Sequence, residues 1–572
     1  MGRPAKVSGS GGQILVQSLL AQGADHVFCV PGESHLAVLD ALYDVREEVK
    51  LVVCRHESGA SNMADAYGKL TGRPGLALVT RGPGACNASI GIHTASQDST
   101  PLILLVGQVP RTFMDREAFQ EIDYRRMFGQ MAKWVAQIDE PRRVPEYVSR
   151  AFHTAISGRP GPVVLALPED MLTQQAEAPA APRARRTAAA PAPEQIGRLR
   201  ALLERAHRPI AILGGTGWTG EACENFRRFA EGWQLPVTCA FRYQDLFDND
   251  HPLYAGDVGI GVNPKLARRI QDADLVLAIG PRLGEMTTSG YTLLEVPSPR
   301  QTLVHAHAGA DELGSVYAAD LAINSGMPEL AASLADLQPG AKPGWTAETA
   351  SARAEYVSWN APVHVPGPLQ MAEVVHHVRE RLPEDAIVAN GAGNFSSWVH
   401  RFHCYRRFRS QLGPTSGAMG YGVPAAVAAK SVYPERTVIA FSGDGDFLMT
   451  GQELATAVQY GLPIILIVVN NGSYGTIRMH QERKYPGRVH GTHLQNPDFA
   501  AYARAFGAFG ETVETTEQFA PAFERALAAN VPALLELRLS EEVITPTTTL
   551  SAIRERALQQ RGIAQRSGDE HA

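Results

Sequence analysis

The 572-residue sequence is poor in cysteine. Its six cysteines, Cys29, Cys54, Cys86, Cys223, Cys239 and Cys404, are widely spread and none falls in a Cys-x-x-Cys pair. That excludes a disulfide framework and a paired-thiol metal knuckle, and it implies a reducing compartment. Long hydrophobic runs are missing too. The best candidate, Gly461–Val469, is far shorter than the roughly 18 apolar residues of a membrane span. The first residues are basic, but the apolar stretch after them is short and runs into a polar turn, so no secretory signal is expected. Neither sign of charge dominates: 53 Lys plus Arg against 59 Asp plus Glu give a net charge of -6. A coat of nucleic acid is therefore not expected. The basic runs Arg183–Arg186 and 401–409 are short and read as solubilising. No Walker A pattern occurs. With 44% apolar and 20% charged residues the chain is an ordinary globular one, and its expected setting is cytoplasmic.

A chain of this length builds several domains. Residues 177–194 are rich in Ala and Pro around a basic centre and carry no buried-face pattern, so they read as a linker. A second break covers 338–364. The expected domains are 1–176, 195–337 and 365–572. In each, short runs of Val, Ile and Leu alternate with longer helical patterns. Examples are His26–Val30, Leu76–Thr80 and Leu102–Val106, then Pro209–Leu213 and Leu275–Ile279, then Thr437–Phe441 and Ile464–Val469. Continuous apolar strands of this kind belong to parallel sheets covered on both faces. The expected fold is α/β, with three doubly wound parallel-sheet domains.

Ligands of such sheets sit at the carboxyl ends of strands. The residues there are Pro31-Gly-Glu-Ser-His35, Arg81-Gly-Pro-Gly84, Gly214-Gly-Thr-Gly217, Gly443-Asp-Gly-Asp446 and Asn470-Asn-Gly-Ser473. Asp444 and Asn471 are one strand–helix–strand crossover apart, which sets their strand ends side by side. A carboxylate and an amide oxygen so placed can hold a hard cation such as Mg2+ against phosphate oxygens. The 214–220 stretch follows a strand but lacks the strict dinucleotide spacing.

Together these motifs resemble the thiamine-diphosphate-dependent enzymes of the acetolactate synthase and pyruvate oxidase group, across almost the whole chain. The carriers are SGDGDF at 442–447 with VVNN at 468–471, RHESGASNMADAYGKLTGRPG at 55–75, GAMGYGVPAA at 417–426, GPG at 82–84 and AFQE at 118–121. The resemblance implies a pyrimidine-binding first domain, a central Rossmann-like domain and a diphosphate-binding last domain, holding thiamine diphosphate and Mg2+. It gives Glu57 the pyrimidine nitrogen, the Gly417 carbonyl the 4'-amino group, and Met419 the place under the bent cofactor. Asp444, Asn471 and the Ser473 carbonyl become the metal ligands. Gly32, Gly82, Pro83, Asn87, Gly443, Gly445, Asp446, Tyr474, Gly475, Thr476 and Ile477 fall in the matching loops as cofactor contacts. It further implies a homodimer or homotetramer with active sites shared between subunits.

The same resemblance implies a lyase or carboligase: decarboxylation of a 2-oxo acid such as pyruvate, then addition of the resulting carbanion equivalent to a second carbonyl. A His-His doublet typical of simple decarboxylases is replaced by the single His93. Phe119 and Gln120 match an apolar wall and a hydrogen-bonding group of the acetolactate type, while Lys133 reads as solvated or structural. Two departures point elsewhere. Glu33 stands where the group has a second glycine, and Thr476 and His480 replace a Met and a substrate-facing Trp. These resemble divergent members such as the cyclohexane-1,2-dione hydrolase type, which cleaves a diketone. His35 and His480 are then candidate proton-transfer groups or structural histidines in equal measure. For the middle domain FAD, an ADP-like ligand and no ligand stand as alternatives, with Gly215, Thr216, Gly217 and Arg282 as the flavin candidates.

Overall fold

Apolar runs that alternate with amphipathic stretches become three parallel sheets in a computed structural model, which describes residues 6–569. The chain forms two compact units, Met1–Tyr356 with Tyr405–Gln411, and Val357–Cys404 with Leu412–Ala572. The first unit holds two six-stranded sheets. From edge to edge, one orders Lys50–Val53, His26–Cys29, Gly75–Val79, Leu102–Gln108, Pro162–Pro168 and Trp134–Gln137. Its central strands Leu102–Gln108 and Pro162–Pro168 are buried at every position, because helices cover both faces.

The other sheet of this unit orders Tyr254–Asp257, Val237–Cys239, Pro209–Leu213, Leu275–Ile279, Thr302–His307 and Leu321–Asn324. Numbered along the chain, that is the 3-2-1-4-5-6 order of a doubly wound nucleotide-type domain, with its switch point between Pro209–Leu213 and Leu275–Ile279. In the second unit the strands Ile387–Asn390, Val438–Gly443, Ile465–Asn470, Ala533–Arg538 and Phe509–Val513 run in that order, all parallel. The expected α/β class with three doubly wound sheets is what the chain builds.

Two details differ from a plain linker reading. Gln175–Pro179 pairs antiparallel with Lys6–Ser10, so the stretch after the first sheet begins as a ribbon. Tyr405–Gln411 returns to the first unit, where the Asn249 side chain accepts the Tyr405 N–H at 3.0 Å.

Candidate functional site

The first sheet positions a carboxylate with unusual economy. Helix Glu57–Thr71 begins directly after the strand Lys50–Val53, with His56 as its N-cap. Helix Pro83–Asp98 starts on a proline, whose missing N–H costs nothing at that position. The two helices touch: a Cβ at Gly91 would lie 2.3 Å from the Ser61 Oγ. One turn earlier on both helices, Asn87 donates its amide to the Glu57 carboxylate at 2.9 Å. A Cβ at Gly84 would come within 3.3 Å of the other Glu57 oxygen. Glu57 is 9% exposed. A nearly dry carboxylate with one amide partner is equipped for a strong charge-assisted bond to a ring N–H.

The loops around it are tied together by protein contacts. Gly82 has φ +34° and donates its N–H to the Tyr124 hydroxyl at 3.0 Å. Gln120 takes a left-handed backbone, φ +66°, and its carbonyl would lie 2.7 Å from a Cβ at Gly82. Phe119 beside it is 73% exposed. Gly32 donates its N–H to His35 Nε2 at 3.1 Å. His35 is fully buried and held neutral, its pKa lowered to about 4 by that burial. The geometry gives His35 a supporting task under the Gly32 loop. His93 is exposed. Lys133 caps the helix Val144–Ile156, donating to the carbonyls of Thr154 and Ser157 at 2.6 and 2.7 Å.

In the second unit, register Gly443↔Val469 sets the strand end of Val438–Gly443 against that of Ile465–Asn470. Asp444, 3% exposed, accepts the N–H groups of Gly445 and Gly472 at 3.0 and 2.9 Å and the Asn496 amide at 2.7 Å. Burial raises its pKa despite those donors, so a cation beside it is electrostatically favoured. Asn471 Oδ1 accepts the Ser473 N–H at 3.2 Å, which turns the loop back on itself. Asp446 accepts from the N–H groups of Ala392 and Gly420 at 3.0 and 2.8 Å and so joins two strand-end loops. A Cβ at Gly445 would lie 2.6 Å from the Tyr474 ring, and one at Gly443 would lie 2.9 Å from the Phe395 ring.

Helix Gly475–Lys484 carries the other candidates. Thr476 donates to Asn394 at 2.9 Å. Ile477 and His480 are exposed. Partial burial, with Arg483 and Lys484 behind it, lowers the His480 pKa. Gly417 has φ +68° with open space at its Cβ, and Met419 is half-buried.

Family models match parts of all three sheets, in chain order. The N-terminal TPP binding domain of thiamine pyrophosphate enzymes covers residues 9–127, the central domain 196–334 and the C-terminal TPP binding domain 391–537. The chain belongs to the thiamine pyrophosphate enzyme family. Among its relatives it is 33% identical over 552 residues to the acetolactate synthase large subunit of Parasynechococcus marenigrum, covering 93% of this chain and 87% of that protein. It is 30% identical over 535 residues to the acetolactate synthase isozyme 2 large subunit of Escherichia coli, covering 93% and 96%. The Corynebacterium glutamicum large subunit is 31% identical over 554 residues, covering 93% and 87%.

The catalytic class is thus that of a thiamine-diphosphate enzyme, and its two cofactor-binding domains are those carrying Glu57 and Asp444. Among the described residues no group of three or more His, Cys, Asp or Glu side chains gathers to hold a metal. Mg2+ in a diphosphate site needs no such group, because phosphate oxygens and water fill most of its octahedron. The buried Asp444, the Asn471 amide and the adjoining backbone carbonyl fit that demand.

The flavin candidates also meet neighbours within the chain. A Cβ at Gly215 would lie 2.0 Å from the Gly280 carbonyl, and one at Gly214 would lie 2.7 Å from Pro281. Those glycines let two neighbouring strand ends meet. Thr216 donates to the Ser99 carbonyl at 2.5 Å, and Arg282 pairs with Glu312 at 3.1 Å. A Cβ at Gly217 would meet open space.

Sequence reasoning missed several residues. Asn394 follows the strand Ile387–Asn390 in a Gly-Ala-Gly-Asn turn, the same strand-end signal that marked the other loops. Asn496, which bridges Asp444 and Asn470 Oδ1, sits in a loop with no local pattern. Tyr124 carries no such signal, and Arg81 is visible in the sequence only as part of the Arg81-Gly-Pro-Gly84 strand end, with no role of its own.

Proposed function

We propose that this family member is a carboligase of the acetolactate synthase type, joining a decarboxylated 2-oxo acid such as pyruvate to a second carbonyl compound. The carrying observation is Glu57, almost wholly buried and partnered by Asn87 at the start of its helix. Thiamine diphosphate, when bound, supplies the electron sink that carbanion chemistry requires. Glu57 would hold a proton at the pyrimidine nitrogen, and the Gly417 carbonyl would orient the amino group. Asp444, Asn471 and the Ser473 carbonyl would hold Mg2+, with Asn496 fixing the Asp444 carboxylate. Gln120, Phe119 and Ile477 would line the substrate side and exclude water.

The relatives named as acetolactate synthase large subunits support this reading over most of the chain length. A homodimer or homotetramer sharing its sites fits the exposed apolar side chains Ile90, Phe119, Leu448, Met449 and Ile477. The test is direct. Purified protein with pyruvate, Mg2+ and thiamine diphosphate should consume pyruvate and form acetolactate. The second reading, cleavage of a 1,2-diketone, is favoured by the polar pair Thr476–Asn394 and the exposed His480, where the family's larger apolar groups would stand. Diketone cleavage without turnover of any 2-oxo acid would establish that reading instead.

A further inference from the structure

The Glu33 that departs from the family pattern does not stand alone. It pairs with Arg81, the residue before the Gly82 turn. The Arg81 side chain is 9% exposed; its Nη1 donates to Glu169 at 3.1 Å and its Nη2 to Glu33. The Phe119 ring centroid lies 5.8 Å from its Cζ. One guanidinium therefore links three loops: 31–35, 80–84 and the turn that bears Phe119 and Gln120. Its Nε is buried and has no partner among the described residues.

The three groups are unequally held. Arg81 is enclosed and braced by Glu169, whereas the Glu33 side chain is 67% exposed. An ion pair with one exposed partner contributes little, so Glu33 is displaced cheaply. Nε and Nη2 form one edge of the guanidinium, the edge that grips a carboxylate with two parallel bonds. Glu33 uses half of that edge. A ligand carboxylate taking both N–H groups would satisfy the unpaired Nε as well.

We propose that Arg81 is the recognition residue for a substrate carboxylate and that Glu33 is a resident stand-in which the substrate displaces. The inference rests on the carboligase reading and deepens it. The carboxylate concerned is one retained in the product, that of an acceptor 2-oxo acid. A clamp on a carboxylate that must leave as carbon dioxide would stabilise the ground state and slow the reaction.

The experiment uses the holoenzyme with a fixed donor and compares a 2-oxo acid acceptor with a neutral aldehyde acceptor. In Arg81→Gln, kcat/KM for the acid acceptor relative to the aldehyde should fall about thirtyfold or more, the usual cost of truncating one partner of a buried charge pair. C2 exchange of the cofactor should stay unchanged. Glu33→Gln, at an exposed position that leaves folding intact, should raise the same ratio. The double variant Glu33→Gln/Arg81→Gln should stay as poor as Arg81→Gln. If the double variant recovers the native ratio, Arg81 merely offsets the negative charge of Glu33 and the clamp is wrong. Ratios unchanged in both single variants of an active enzyme also overturn it. A native enzyme that consumes no 2-oxo acid overturns the carboligase reading, and the clamp with it.

Discussion

The strand ends of the middle sheet and those of the diphosphate-side sheet look alike in sequence and differ in what they enclose. Both are glycine-rich loops after buried apolar strands. In the middle sheet Gly215 packs on the Gly280 backbone and Arg282 is taken by Glu312. In the other, Asp444, Asn470, Asn496 and Asp446 gather around backbone N–H groups. The pyrimidine-side sheet resembles the latter, with Glu57 and Asn87 facing each other. A strand-end glycine signals close approach. Whether a ligand or another piece of backbone approaches depends on the polar side chains nearby.

The largest expected effect lies at Glu57. In Glu57→Gln the hydrogen–deuterium exchange at C2 of bound thiamine diphosphate, followed by NMR, should slow by about 10²- to 10⁴-fold while circular dichroism is unchanged. Unchanged exchange would put the pyrimidine-side sheet in the same category as the middle one.

His35 gives the next test. Its pKa lies near 4 in the folded protein against an ordinary 6.5. Below pH about 6.5 the unfolded chain binds a proton that the folded one does not, so stability falls as pH drops from there to about 4. The loss amounts to about 3 kcal/mol at the lower end. Chemical denaturation across this range should show it, and His35→Gln should remove that component.

The middle-sheet glycines separate packing from ligand contact. Gly215→Ala should destabilise by about 3 kcal/mol, combining left-handed strain with overpacking against Gly280. Gly217→Ala, with φ +85° and open space, should cost about 1 kcal/mol of strain alone. Thermal melts read both, and equal values would break the contrast. An effect of similar size to that at Gly217 is expected at Asn496. Asn496→Ala should weaken Mg2+-dependent cofactor binding by about tenfold, the usual scale for a residue that orients a metal ligand. Isothermal titration with Mg2+ and thiamine diphosphate measures it, and undiminished affinity would remove Asn496 from the site.

Much of the fold was legible because central parallel strands are buried on both faces and therefore read as continuous apolar runs. Leu102–Gln108, Pro209–Leu213 and Ile465–Asn470 were visible for that reason. The edge strands Trp134–Gln137, Leu321–Asn324 and Phe509–Val513 were not, because partial exposure breaks the run. Among site residues, Glu57 and Asp444 stood in recognisable motifs. Asn496 did not, since it reaches Asp444 from a loop 52 residues further along the chain.

By itself, then, the sequence determined the three-sheet α/β plan, through local apolar periodicity, and the cofactor class, through short strand-end motifs that resemble those of the family; both are short-range properties. Tertiary structure alone decided the rest. It packed Gly214 and Gly215 against the neighbouring strand end, and it put His35 beneath the Gly32 loop. It paired Glu33 with an arginine 48 residues away. Each of these depends on which strand ends and loops become neighbours in space, and chain topology, not local composition, sets that.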